Sequence, residues 1–103
     1  MTKIEGFDWD YGNLMKNESK HGLTHSMIEA FFRRTIQVAP DPKHSSKEDR
    51  FLAIGRVPGG RPMIVAFTIR TREERVLIRP IRARYMHDKE ASKYEEAFAK
   101  TKE

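Results

Sequence analysis

RFLAIGRV (residues 50–57), PMIVAFTIR (62–70) and RVLIRPIRA (75–83) are three short runs rich in Val, Ile, Leu and Phe, separated by PGG and TREE segments. Branched and aromatic residues bounded by turn formers read as strands, and consecutive strands with short connections predict an antiparallel meander. Pro58, Gly59 and Gly60 supply the first hairpin turn. The second connection, residues 71–74, holds no Gly or Asn to take up positive φ, so a longer or type I turn is expected there.

Working outward, residues 36–39 alternate briefly and stop at Pro40-Asp41-Pro42, whose prolines remove backbone donors; this predicts a short edge strand. Residues 43–49 are polar and aperiodic and read as a loop. Upstream, residues 10–19 suit a helix that Gly22 is placed to end. A second helix follows, with Thr24 as N-cap, or Ser26 and Glu29 as a capping box, and an apolar stripe of Met27, Ile28, Phe31 and Phe32. At the other end residues 88–101 predict a helix with Ala91, Tyr94, Ala97 and Phe98 on one side. Its narrow stripe permits packing on the sheet, and equally a segment over 86–103 that is mobile or ordered by a partner. The expected fold is one α+β domain over residues 1–103, with two N-terminal helices, a four-stranded antiparallel sheet and a C-terminal helix.

The chain of 103 residues has length for one core. Its 20 Lys and Arg against 15 Asp and Glu give +5, a balance that favours polyanions, although many basic domains merely carry a solvated positive face. It contains no cysteine, which excludes disulfides, thiolate nucleophiles and Cys-based metal sites. No window approaches a membrane span or a signal peptide, and a cytoplasmic location is expected.

Metal-free RNA cleavage needs a base for the 2'-OH, cations for the crowded phosphate and an acid for the leaving oxygen. Arg70, Arg79, Arg82 and Arg84 fall on or near the last two strands. Period two places Arg82 and Arg84 on one face, with Arg79 on the other if the strand is regular. Guanidinium forks match phosphate oxygens, yet strand arginines are often solvated or paired with residues such as Glu73, Glu74 or Glu90. Lys20 beside His21 makes a candidate proton-transfer pair, against the plainer reading of His21 as a helix-terminus residue. Trp9 and Tyr94 could stack on bases; core packing is the better reading of Trp9, and Tyr85 beside Arg84 is a more plausible exposed stacking residue. His25, His44 and His87 are scattered without ligand spacing, and the glycines form no phosphate loop, so neither a metal, a cofactor nor nucleotide hydrolysis is expected.

An ordered series resembles the BrnT family of toxins: Phe7-Asp8-Trp9-Asp10, Lys20-His21-Gly22, Asp41-Pro42-Lys43-His44-Ser45, Glu48-Asp49-Arg50-Phe51, Gly55-Arg56, Phe67-Thr68-Ile69-Arg70, Ala83-Arg84, Glu90 and Tyr94. The resemblance implies a RelE-like ribonuclease fold, metal-independent RNA cleavage and translation arrest. It also implies neutralisation by a small ribbon-helix-helix antitoxin, BrnA-like, in a complex that binds its own promoter DNA. Lys20, His21, Arg70 and Arg84 match family positions. With them, Glu48 is the carboxylate assigned by chemistry to proton transfer, and Arg56, Arg79, Arg82 and Tyr85 are the candidate RNA contacts. The chain departs from the family at His25, Ser26 and Met27, at Arg82 in place of a small polar residue, and at His87 where a Ser or Thr would cap the last helix.

The leading reading is an endoribonuclease in which Arg70 and Arg84 hold the phosphate while His21 or Glu48 moves the proton. The alternatives are a non-catalytic RNA- or ribosome-binding module on the same basic face, and a partner-docking protein whose RNA affinity is incidental.

Overall fold

The computed structural model describes residues 4–9, 22–34, 36–41, 49–57 and 59–101. The helix expected over residues 10–19 lies outside them, as do Lys20, His21 and Glu48. In chain order the elements are β1 (Gly6–Phe7), α1 (His25–Arg33), β2 (Gln37–Pro40), β3 (Arg50–Arg56), β4 (Pro62–Arg72), β5 (Arg75–Tyr85) and α2 (Asp88–Thr101).

The meander forms as the sequence predicts, β2 to β5 pairing antiparallel in succession. The sheet nevertheless has five strands, in order β1-β5-β4-β3-β2, and it is mixed. β1 runs parallel to β5, with Gly6 opposite Leu77 and Phe7 opposite Ile78. The amides of Glu5 and Asp8 reach the carbonyls of Val76 and Ile78, both at 2.8 Å. The expected four-stranded antiparallel sheet is therefore corrected: a two-residue strand is too short to show a period, and its pairing is decided by a segment seventy residues away.

The second hairpin also departs from expectation. Arg72 faces Arg75, leaving a two-residue loop in which Glu73 (φ 52°) and Glu74 (φ 65°) are both left-handed. That is the geometry whose twist matches two antiparallel strands. The long β4–β5 ladder imposes it on residues that do not favour it.

On one face of the sheet α1 lays Ile28 and Phe31 against Ala53, Met63, Val65, Phe67, Ile78 and Ala83, which are all buried. Thr24 caps α1 as the sequence predicts, its Oγ1 accepting from the Met27 amide at 3.2 Å. Gly55 lets this layer close: a Cβ there would stand 2.8 Å from Ile36 Cγ2. Trp9 packs at the edge of this core, its indole N–H donating to Glu29 at 2.9 Å. On the opposite face α2 covers Ile54 and Ile64 with Ala91 and Tyr94, so the sheet lies between the two helices. No described helix is long and apolar enough to cross a membrane.

Candidate functional site

Facing positions on paired strands share a side of the sheet, so the register sorts the side chains. On the α2 side Arg50, Thr68 and Arg79 form one row across β3, β4 and β5. The next row is Leu52, Ala66 and Arg82, and the third is Ile54, Ile64 and Arg84. Arg70 lies on the same side, two residues beyond Thr68 and opposite Leu77.

Arg50, Arg70, Arg79, Arg82 and Arg84 thus share one face with the other arginines of β3, β4 and β5, and a bulge is what brings Arg79 there. Phe67 pairs with Pro80 while Ala66 pairs with Arg82, leaving Ile81 as an extra residue in β5. In a regular strand Arg79 would point to the opposite side from Arg82 and Arg84; the extra residue resets the alternation. Pro80 is the cause legible in the sequence, because a proline inside a strand is tolerated mainly at edges and bulges.

The arginines differ in how they are held. Arg84 makes a two-pronged pair with Glu90 in the first turn of α2, at 2.8 and 2.7 Å. The hydrogen bond to Glu90 raises the Arg84 pKa, and the same bond lowers that of Glu90 below the ordinary carboxylate value. Arg79 lies 3.5 Å and Arg72 2.9 Å from one carboxylate oxygen of Asp8. Arg82 is exposed and makes no ion pair among the described residues.

Two of the expected RNA contacts are set apart from this group. Arg56 is on the same side but at the far end, donating to Glu95 and to the Gly60 carbonyl, both at 2.8 Å. Tyr85 faces the α1 side, paired with Met63, and the Arg61 guanidinium lies 3.7 Å over its ring. Neither Arg50 nor Asp8 is among the site residues expected from the sequence; only the ladder register and the parallel pairing of β1 disclose where they stand.

Between the arginine rows lies a cleft of about 400 Å³ with a floor of Leu52, Ile64, Ala66 and Ile81. Tyr94 of α2 and Asp41, just beyond β2, line it together with Arg50, Arg82 and Arg84. A larger cleft of about 660 Å³ opens on the α1 side, lined chiefly by apolar residues such as Phe7, Trp9, Phe32 and Phe51. Its charged lining residues, Glu29 and Arg33, are an i,i+4 pair at 3.6 Å. Convergent charge, not volume, marks the smaller cleft as the place for chemistry. Among the described residues no group of three His, Asp or Glu could hold a metal ion.

A family model described as the ribonuclease toxin BrnT of type II toxin-antitoxin systems matches residues 9–90. The chain belongs to this family. The crystal structure of the Brucella abortus ribonuclease toxin BrnT, at 25% identity, superimposes with a TM-score of 0.61 over 84% of this chain and 100% of that one. Among curated proteins none matches this chain in sequence. The mixed sheet with its helices accordingly agrees with a known toxin fold, and membership of the family implies an RNA substrate and an antitoxin partner.

Proposed function

We propose that this toxin is a metal-independent endoribonuclease that arrests translation by cleaving RNA, using the arginine face of its sheet. The observation that carries the reading is the bulge that gathers Arg79, Arg82 and Arg84 with Arg50 and Arg70 on one side. In-line attack of a 2'-oxygen on its own phosphate builds negative charge on the equatorial oxygens, and fixed guanidinium groups are matched to that charge. Arg82, exposed and without an ion pair among the described residues, is placed to meet the phosphate first. Arg84, held by Glu90, presents a guanidinium that is charged throughout the physiological range.

The 2'-OH loses its proton to a base, its oxygen bonds to phosphorus, the bond to the 5'-oxygen breaks, and that oxygen takes a proton from an acid. Lys20, His21 and Glu48 are assigned to the proton transfers, Lys20 and His21 on their match to family positions and Glu48 on its chemistry. The products are a 2',3'-cyclic phosphate and a 5'-hydroxyl. A small ribbon-helix-helix antitoxin, BrnA-like, completes the pair, and its complex with the toxin binds their own promoter DNA.

The test is cleavage of naked RNA, and separately of programmed ribosomes, in excess chelator, beside Arg84→Ala. Wild type is expected to cut and the variant to lose about a hundredfold in rate, the usual cost of removing one charge-stabilising donor. An unchanged rate in Arg84→Ala would refute its role. Bound but intact RNA in both assays selects the non-catalytic module.

A further inference from the structure

We infer that the cleft between the arginine rows is a nucleobase pocket selective for guanine, with Asp41 as the residue that reads the base and Tyr94 as the wall on which it stacks. The inference rests on RNA lying across the arginine face, and goes beyond it by naming what is recognised beside the phosphate.

The lining has the composition such a pocket needs. Leu52, Ala66 and Ile81 give an apolar floor, and Ala66 is small enough to leave depth between the neighbouring rows. A volume of about 400 Å³ lies in the range of small-ligand sites. Tyr94 is half-buried and packs against the cluster of Ile54, Ile64, Met86 and Ala91, so its ring is a partly preformed surface rather than a free side chain. Stacking on a fixed aromatic costs little ordering entropy and serves any base.

Selection comes from the polar members. Asp41 is 9% exposed, and its backbone N–H donates to the Arg50 carbonyl at 2.8 Å, which anchors the residue at the cleft. A carboxylate is acceptor-only, with about four lone-pair sites, and so takes a further partner beyond any it already has. Among the four RNA bases guanine alone offers two adjacent donors, N1–H and the N2 amino group, on its Watson–Crick edge. Its other edge carries the O6 and N7 acceptors that an arginine fork matches. A pocket with a carboxylate on one side and arginines on its rim complements guanine on both edges. Adenine, cytosine and uracil each present a single donor position to the carboxylate, set beside an acceptor that it repels.

The measurement is fluorescence anisotropy with labelled 2'-O-methyl pentanucleotides, whose blocked 2'-oxygen prevents cleavage, bearing guanine, hypoxanthine or adenine at the centre. Wild-type protein is expected to bind the guanine oligonucleotide about tenfold more tightly than the adenine one, with hypoxanthine, lacking the 2-amino group, in between. Asp41→Asn presents one acceptor and one donor in nearly the same shape, and is expected to abolish the preference. Tyr94→Leu weakens all three and Tyr94→Phe does not. Equal affinity of wild type for the three oligonucleotides overturns the inference without relying on any variant's folding. A guanine preference that survives in Asp41→Asn overturns the assignment of Asp41. Cleavage of the corresponding unmodified RNA separates the two proposals: guanine-selective binding without cleavage rejects the ribonuclease reading and keeps the pocket, whereas cleavage without base preference does the reverse.

Discussion

Arg84 and Glu90 show how one pair ties chemistry to architecture. The carboxylate comes from the first turn of α2 and grips both terminal nitrogens of a guanidinium on β5. Because the bond to Arg84 depresses the Glu90 pKa in the folded state, the pair stabilises the protein above the unfolded carboxylate pKa. That contribution is lost as pH falls through the depressed value. The Arg84 side of the linkage points the other way: a raised pKa keeps its contribution intact until strongly alkaline pH. A carbon-13 NMR titration of Glu90 is expected to show a midpoint below the ordinary carboxylate value in wild type and an ordinary one in Arg84→Ala. Glu90→Gln should cost only about 0.5 kcal/mol, since the Arg84 side chain is 42% exposed and exposed pairs contribute little. The sequence reading already named Glu90 among the acids able to pair with the strand arginines. That they do pair depends on α2 docking, which its narrow apolar stripe left open.

Among the elements, the legible ones were those whose signal is local. β3, β4 and β5 announce themselves by branched residues, α1 by its stripe and the Thr24 cap, and β2 by its flanking prolines. β1 and the bulge escaped because neither is a property of its own few residues: β1 exists only against β5, and the bulge only against β4. The same distinction governs the site. Arg70, Arg82 and Arg84 were found as strand arginines, whereas grouping Arg79 and Arg50 with them required the ladder register. The turn at Glu73 and Glu74 is a case where long-range pairing overrides local preference. Two non-glycine residues in the left-handed region cost roughly 1 kcal/mol each. Replacing both by Asn-Gly is therefore expected to stabilise the fold by about 1–2 kcal/mol without altering the register. Urea denaturation measures the gain, and an unchanged midpoint would show that the two residues carry no strain.

Over the whole molecule the sheet divides the charge. One side, under α1, is apolar and holds the larger core; the other gathers the arginines of β3, β4 and β5 beside the smaller cluster under α2. The net charge of +5 was visible in composition, its concentration on one side was not. Such a face predicts a salt-dependent affinity for single-stranded RNA. If about three phosphates are neutralised, log K should fall against log salt with a slope near −2, and Arg82→Ala should flatten that slope by about 0.7. A slope unaffected by Arg82→Ala would remove this residue from the phosphate contacts.

The parallel pairing of β1 with β5 also governs when this protein is complete. Gly6 and Phe7 are synthesised before Leu77 and Ile78 and have no strand partner until those have followed them out of the ribosome, so the edge they form closes only after β5 has emerged. The Asp8 carboxylate that lies beside Arg79 arrives with that edge. A nascent chain therefore lacks an assembled arginine face until β5 has been made. The topology keeps the proposed RNA-cleaving face unassembled in a growing chain until β1 and β5 have met.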